Sequence, residues 1–439
     1  MTTVPQLTHA LQEVFTTTAD ALARRTGCVQ RTSTLTGALF AQTLVFGWLA
    51  NPQASLEGLA QVAAAVGVAI RAQSRDERFT EGAAVFLDEL LAQAVQRVIA
   101  ADSVAIPLRE RLSAVVLLDS STITRPAALA LWWPGCRKGT AALKLHVRYD
   151  LCRGHLNGLL VQEGRISDRS TLMQTAPLPR GARRISDLGF FTVGVFAAMT
   201  AQGVYWLSRL APGTAVYTSD GTRWDVLDLL TAQDTATVDL DVLRGVRQRL
   251  PGRLLAVRVP EEVANQRRRR LRTEATRRGR TPSAAQRAWC AWCAWTIVVT
   301  SVPPTLLSLR DALVLLRARW QIELLFTLWK SHSPIDESRS ANPWRVLTEV
   351  FAKLLAMVVQ HWLLLVSCWA FPDRSLVKAA QTIRPYALTL ASSLAYPAFL
   401  DHTLTVIQRS VAAGCRLNRR KKKPNTYQLL LEPSLAGLA

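Results

Sequence analysis

The sequence predicts an α/β protein in which a mixed sheet is flanked by helices. Residues 114–118 are five consecutive apolar residues that end at an acid, a pattern typical of a central strand covered on both faces. Strand-like runs follow at 143–149 and 158–163, and a short strand, a helix and another strand occupy 184–207. The first 110 residues are different, because their Ala-, Leu- and Gln-rich runs have helical periodicity. We therefore expect an all-helical N-terminal segment before the sheet.

Composition and charge restrict the partners. The chain has 439 residues, with 53 Lys and Arg against 32 Asp and Glu, which gives a formal charge of +21. Hydrophobic residues make up 49% and charged residues 19%, so an intrinsically disordered chain is excluded. Such a positive charge on a globular protein favours a polyanionic partner, with nucleic acid first and an anionic membrane surface second.

One apolar run raises the question of a membrane segment. Residues 354–372 carry no formal charge, but Gln360 and His361 lie at the centre of the run, and the chain has no second run like it. A helix buried in a large core explains this pattern better than membrane insertion does. We predict no membrane partner.

The cysteines favour a reducing compartment. They are seven in number and scattered, which is not the pattern of a disulfide framework, and residues 1–20 lack the pattern of a secretory signal. Cys290 and Cys293 form a CxxC pair, which is either half of a zinc site or two half-buried thiols. We expect a protein of a reducing cytosol.

Three acids stand out by position. Asp119 follows the first apolar strand, Asp187 follows a second short strand, and Glu323 lies in an otherwise apolar helical stretch. Taken singly, such an Asp usually caps a turn and such a Glu usually pairs with Arg. Together, semi-buried carboxylates repel one another unless a cation neutralises them, and Mg²⁺ prefers such oxygen ligands.

The residues around these acids resemble those of insertion-sequence DDE transposases of the IS-four type. Residues 118–122, with 133–135 and Lys144 downstream, are similar to the region of that family's first aspartate. Residues 186–191 resemble the segment around its second aspartate.

The third motif is the most specific. The family pattern is Tyr, two residues, Arg, three residues, Glu, six residues, Lys, and here Arg319, Glu323 and Lys330 have that spacing. Leu316 stands at the tyrosine position, so the contact made by the tyrosine hydroxyl is missing. On one continuous helix, all three side chains would share a face.

The resemblance implies a ribonuclease-H-like core that carries Asp119, Asp187 and Glu323, with an inserted β-rich region between the second aspartate and the glutamate. We expect a helical DNA-end-binding domain at 1–110, followed by the first part of the core at 111–211 and the insertion at 212–300. The second part of the core would follow at 301–380, and a helical region with a basic tail at 381–439.

The insertion also contains the candidate DNA contacts. It holds the run Arg267, Arg268, Arg269 and Arg270, which suits phosphate contacts, although a solvated loop is the alternative. Trp289, Trp292 and Trp295 follow, and in the resembled family an aromatic residue of the insertion stacks on a flipped base. Trp295 is our candidate, with core packing as the alternative.

The resemblance therefore implies a DNA transposase that binds terminal inverted repeats, cleaves the element ends and joins them to target DNA. Asp119, Asp187 and Glu323 would bind two Mg²⁺ ions, with Mn²⁺ able to substitute, and Arg319 and Lys330 would hold phosphates. Pairing two ends implies a dimer in the DNA-bound synaptic complex. The alternatives are a nuclease of the same fold that does not transpose and an inactive DNA-binding derivative.

Overall fold

The computed structural model describes residues 2–31, 34–69, 77–101, 114–277, 290–332, 335–338, 340–369, 371, 373–418, 428 and 432. The predicted basic tail at 419–423 and Trp289 lie outside these residues.

Helices account for most of the secondary structure. The α-helices are α1 Val4–Glu13, α2 Ala19–Arg25, α3 Gly37–Ala50, α4 Leu56–Ala65, α5 Glu81–Gln96, α6 Val193–Ala201, α7 Val226–Ala232, α8 Glu261–Arg277, α9 Leu309–Ala318, α10 Trp320–His332, α11 Pro343–Cys368, α12 Leu376–Ile383, α13 Ala387–Ser393 and α14 Pro397–Ala413. A π-helix, Val14–Thr18, connects α1 with α2.

The strands lie in the middle of the chain. They are β1 Val115–Arg125, β2 Ala141–Asp150, β3 Leu156–Glu163, β4 Arg183–Ser186, β5 Tyr205–Arg209, β6 Val216–Tyr217, β7 Arg223–Trp224, β8 Thr237–Arg244, β9 Leu250–Arg258 and β10 Trp295–Thr300.

The chain divides into two compact units. The first unit consists of Met1–Val104, Asp119–Ile166 and Ile322–Asn418, and the second consists of Ala105–Leu118, Ser167–Gln321 and Arg419–Ala439. The division passes through β1, whose first four residues belong to the second unit and whose remaining residues belong to the first.

The long helix α11 forms the centre of the first unit. It packs against α3, α5 and α14. By length and composition it could cross a membrane, but its most apolar stretch is completely buried by the rest of the protein. This burial agrees with the expectation that the apolar run is a core helix, although the helix begins earlier than the run, at Pro343.

The N-terminal helices of the first unit begin at side chains that satisfy the free backbone N–H groups. Thr36, Ser55 and Thr80 each accept a hydrogen bond from the backbone amide three residues later, at the start of α3, α4 and α5. Thr3 does the same for α1, where Gln6 completes a capping box. These caps fix the helix starts, and packing against α11 then orders α3 and α5.

A polar contact connects the β2–β3 hairpin with α11. His361 is buried, and its Nε2 lies 2.6 Å from the carbonyl oxygen of Gly154. Burial lowers the pKa of His361 to about 4, which is below its ordinary value of 6.5. Gly154 has a φ of +72°, and a Cβ there would come within 2.3 Å of Leu365, so only glycine fits this turn.

In the second unit a sheet supports the core. Its strand order is β1-β4-β5-β10-β9-β8-β6-β7, and β1, β4 and β5 are parallel whereas the remaining pairs are antiparallel. In the first unit, β2 lies between β3 and the second part of β1. A mixed sheet with helices thus agrees with the α/β class expected from the sequence.

The core of the second unit is aromatic. Trp206 stacks on Phe196 with ring centroids 4.7 Å apart, and the guanidinium of Arg244 lies 4.3 Å from the centroid of the Trp206 ring. Burial lowers the pKa of Arg244 to about 9, below its ordinary value of 12.5. The flat guanidinium group is thus held against an aromatic face inside the core.

Two expectations require correction. β1 does not end at Asp119 but continues to Arg125, because Ile123 and Arg125 face inward while Thr122 and Thr124 face solvent, as in a strand with one covered side. The segment 212–300 contains β6 to β10 but also α7 and α8, so the arginine run lies on a helix.

Candidate active site

The first acid, Asp119, lies within β1. It follows four apolar residues that are almost completely buried, and its own side chain is half-buried. One carboxylate oxygen, Oδ1, accepts a hydrogen bond of 2.8 Å from the backbone amide of Ser120. The buried part of the strand fixes where this carboxylate lies along β1.

The second acid, Asp187, directly follows β4. It is the N-terminal cap of a 3₁₀-helix, Leu188–Phe190, and its carbonyl accepts a hydrogen bond from the amide of Phe190. In the parallel register of β1 and β4, Leu118 pairs with Ser186. Asp119 and Asp187 are the next residues after this pair along their strands.

Arg319 lies beside the second acid. Its Nη2 is 3.9 Å from Oδ1 of Asp187, with the Arg319 side chain 15% exposed and that of Asp187 46% exposed. The predicted continuous helix is interrupted at Arg319, which forms the C-cap of α9 directly before α10 begins. Glu323 and Lys330 share a helix, but Arg319 does not belong to it.

The third acid, Glu323, and Lys330 lie on α10. Glu323 is half-buried, and its backbone carbonyl accepts a bond from the hydroxyl of Thr327. Nζ of Lys330 donates a hydrogen bond of 3.0 Å to the carbonyl oxygen of Thr122, three residues after Asp119 on β1. Within the first unit, Lys330 thus connects the helix of Glu323 with the strand of Asp119.

A second hydrogen bond connects β1 with the segment after α10. It was not predicted from the sequence. Arg125 is buried, and its Nη2 donates to the carbonyl oxygen of Ile335. Burial lowers the pKa of Arg125 to about 10, and Glu349 and Asp336 act in the opposite direction. The two residues are 210 positions apart, so sequence spacing offers no signal for the contact.

Asp168 is a further acid that the motifs do not reveal. A Cβ at Gly189 would lie 2.9 Å from Oδ2 of Asp168, so this carboxylate closely approaches the turn that follows Asp187. The glycine at 189 therefore leaves room for Asp168.

The described residues contain no preformed cluster of metal ligands. Within the described ranges, no group of three His, Cys, Asp or Glu side chains is arranged to hold a metal ion. Asp119 and Glu323 belong to the first unit and Asp187 to the second. Cys290 and Cys293 are free cysteines, and burial raises the pKa of the Cys293 thiol.

The arginine run on α8 has two kinds of members. Arg267 donates to the carbonyl oxygens of Cys293 and Trp295 and to the hydroxyl of Thr296, and Arg268 donates to the carbonyl oxygen of Cys290. These two side chains are half-buried, whereas Arg269 and Arg270 are exposed. The first two therefore hold the segment before β10 against the helix.

Trp295 begins β10, where it pairs with Arg258. Its side chain is half-buried and packs, together with Trp292, against the hydrophobic core of the second unit. A ring with only part of its surface in the core still has surface for a further contact.

The chain is similar to transposases of bacterial insertion sequences. Residues 110–359, more than half of the chain, match the family model described as Transposase DDE domain. The transposase for insertion sequence element IS231F of Bacillus thuringiensis subsp. israelensis is 24% identical over 364 residues, covering 77% of this chain and 75% of the relative. The transposase for IS231C of Bacillus thuringiensis subsp. berliner is 26% identical over 369 residues, with the same coverage. The transposase for IS1151 of Clostridium perfringens is 21% identical over 284 residues, covering 59% of each chain.

Proposed function

Because the chain belongs to the DDE transposase family, we propose that it binds the terminal inverted repeats of its element, cleaves DNA at the element ends and transfers the 3′ ends to target DNA. The enzyme acts on DNA, as its charge of +21 suits. Asp119, Asp187 and Glu323 are the proposed catalytic carboxylates.

The observation that carries this proposal is the register of β1 and β4. Leu118 and Ser186 pair in two parallel neighbouring strands, and each is followed directly by one of the aspartates. Each aspartate thus directly follows one member of the same strand pair, and carboxylate oxygens are the ligands that Mg²⁺ prefers. The hydrogen bond from Lys330 to Thr122 supports the third role, because it holds the helix of Glu323 against β1.

The donor chemistry fits Mg²⁺, and Mn²⁺ as a substitute, because all three side chains offer carboxylate oxygens. When bound between such carboxylates, a pair of these ions activates the attacking oxygen and stabilises the leaving oxygen of an in-line phosphoryl transfer. Arg319 supplies positive charge beside Asp187. This pairing is consistent with a carboxylate that needs a positive neighbour.

The chain's own cations would orient the DNA. Arg319 and Lys330 are proposed to hold phosphates beside the scissile bond through charge-assisted hydrogen bonds. One N–H group of the Lys330 ammonium donates a hydrogen bond to the carbonyl oxygen of Thr122, and the ammonium has two more N–H groups that can donate. A lysine anchored in this way loses little further freedom when it binds a phosphate.

The wider organisation is also proposed. A ribonuclease-H-like core at 111–211 and 301–380 would carry the chemistry. The inserted region at 212–300 would contact DNA through Trp295 and through Arg269 and Arg270, the exposed members of the run Arg267 to Arg270. The segment 1–110 would recognise the element ends, and the basic tail at 419–423 would supply further phosphate contacts. We expect a dimer in the synaptic complex and a location in the bacterial cytosol, at the nucleoid.

The proposal is tested by separating binding from cleavage. Asp119→Asn, Asp187→Asn and Glu323→Gln should each slow Mg²⁺-dependent cleavage by at least about a thousandfold, since the metal site supplies several kcal/mol of transition-state stabilisation. Binding to a duplex that carries the DNA flanking the reading frame should change little, because it depends on many phosphate contacts. Asp228→Asn, at an exposed acid on α7, is the matched control.

Four results would contradict parts of the proposal. Near-normal cleavage by any of the three variants would remove that residue from the site, and cleavage that persists in excess chelator would remove the metal. A wild-type enzyme that cleaves but never joins the freed 3′ end to a second DNA would be a nuclease of the same fold. Binding without any cleavage would indicate an inactive derivative.

A further inference from the structure

Helix α8 has two faces with different chemistry. One face consists of Ala264, Arg267, Arg268, Leu271 and Ala275, which follow helical spacing and are buried or half-buried. This packed face contacts the segment before β10 through the bonds of Arg267 and Arg268. The helix is thereby fixed to the sheet of the second unit on one side only.

The opposite face carries positive charge and neutral hydrogen-bonding groups. Its exposed residues are Asn265, Gln266, Arg269, Arg270, Arg272, Thr273 and Thr276. In the described part of the chain, none of the three arginines on this face forms an ion pair. The exposed acids of α8 are Glu261 and Glu262 at its N-terminal end and Glu274, which lies at the margin of this face four residues after Arg270; the three exposed arginines lie between them in the sequence.

The order of these side chains around the axis is informative. At about 100° per residue, Arg270 and Arg272 lie about 160° apart across the exposed face, at its two margins. Arg269 lies close to the midline, with Gln266 between it and Arg270. A helix in the major groove meets the two phosphate backbones at its margins and the base edges along its midline.

We propose that α8 lies in the major groove of duplex DNA, with Arg270 and Arg272 on the phosphates of the two backbones and Arg269 and Gln266 facing the bases. This proposal deepens the proposed function and rests on it, because it assigns the DNA contacts of the inserted region. Arg267 and Arg268 are positioning residues, which hold α8 to the sheet and do not touch DNA. Guanidinium and carboxamide groups are the side chains that read guanine and adenine in this groove.

The phosphate contacts are tested by salt dependence. Two labelled duplexes are used: one carries the DNA that flanks the reading frame, and the other has the same composition in shuffled order. The quantity measured is the slope of the logarithm of the association constant against the logarithm of the salt concentration. Each single variant, Arg270→Gln or Arg272→Gln, should reduce the magnitude of this slope by about 0.9 on both duplexes. Arg409→Gln, an exposed arginine on α14, is the matched control and should leave the slope unchanged.

The base contacts are tested by a charge-conserving variant. Arg269→Lys keeps the charge but loses the two-pronged donor geometry, so the slope should stay constant while the preference for the flanking duplex falls about tenfold or more. Gln266→Ala should likewise lower only the preference. Arginine, lysine and glutamine have similar helix propensities, so α8 should remain folded, and circular dichroism checks this.

Unchanged slopes for Arg270→Gln and Arg272→Gln would overturn the phosphate contacts. Equal loss of affinity on both duplexes for Arg269→Lys would overturn the placement in the groove and leave α8 against one backbone. Failure of this inference is distinct from failure of the proposed function: the enzyme would still lose cleavage on Asp119→Asn, and only the α8 variants would behave like wild type.

Discussion

Lys330 combines a structural contact with a free charge. Its ammonium group donates to the carbonyl oxygen of Thr122, and two protons remain for a phosphate. Lys378 on α12 is a natural comparison, because its Nζ also donates to a backbone carbonyl oxygen, that of Arg416. Both lysines have the same kind of structural bond, but only Lys330 lies on the helix of a proposed catalytic acid.

We expect Lys330→Ala to slow cleavage about tenfold or more per folded molecule, because losing a charge-assisted phosphate contact costs at least about 1.4 kcal/mol in the transition state. Lys378→Ala should lower the free energy of unfolding by about 1 kcal/mol and leave the cleavage rate unchanged. Single-turnover cleavage and chemical denaturation measure the two effects. Equal behaviour of the two variants would reduce Lys330 to a purely structural role.

His361 predicts a pH dependence of stability. Its pKa in the folded protein, about 4, is below the ordinary value of 6.5, so the unfolded chain binds a proton more readily between these values. The free energy of unfolding should therefore fall as the pH falls from 6.5 towards 4, by up to about 3 kcal/mol.

The measurement compares wild type with His361→Gln, whose amide can still donate to the carbonyl oxygen of Gly154. Denaturant unfolding at several pH values measures the free energy of unfolding of both proteins. The difference between these two free energies should narrow or reverse as the pH falls. Parallel curves for the two proteins across this range would show that His361 is not the responsible group.

At the scale of elements, the N-terminal helices depend on a helix from the other end of the chain. α3 and α5 pack against α11, which is separated from them by more than two hundred residues of sequence. Leu44, Phe46, Phe86 and Leu87 are fully buried in this arrangement. A fragment that lacks α11 would expose these side chains to water.

We therefore expect the fragment 1–110 alone to lack a cooperative unfolding transition, and the same fragment co-expressed with 111–439 to copurify with it. Near-ultraviolet circular dichroism and thermal unfolding distinguish a packed domain from a collapsed one. A fragment 1–110 that unfolds cooperatively by itself would show that α11 is not needed for its fold.

Much of the element order was predictable, and so was the family. Continuous apolar runs marked β1 and β5, and a strand-like run marked β2. The spacing of Arg319, Glu323 and Lys330 pointed to the DDE transposases, which the family match confirms. The continuation of β1 beyond Asp119 was missed because the polar residues there alternate over only a few positions. Such a short alternation is a weak signal beside the long apolar run that precedes it.

The site itself was only partly predictable. The three acids follow from motifs, and their roles stay predictions. Arg125 and Asp168 were missed, because each acts through a contact that tertiary structure creates between distant or irregular segments. The break at Arg319 was missed as well, since residues 309–332 have continuous helical periodicity and contain neither proline nor glycine.

At the scale of the whole molecule, the charge of +21 predicts strong salt dependence. If six to ten phosphates are neutralised, affinity for any duplex should fall about 10³-fold or more between 50 and 200 mM salt. Filter binding or fluorescence anisotropy with the shuffled duplex measures the salt dependence of the affinity without a contribution from sequence preference. An affinity that is insensitive to salt would mean that the basic residues face away from the DNA.

The position of α11 in the chain has a consequence for synthesis on the ribosome. The helix is apolar enough to be mistaken for a membrane anchor as it leaves the exit tunnel, yet α3 and α5, which cover it, have already been translated. Because chains fold from the N-terminus as they are made, these partners can receive α11 as it emerges, and α12 and α14 are added afterwards. The order of translation thus shortens the time during which this helix is exposed to chaperones and to the membrane-targeting machinery.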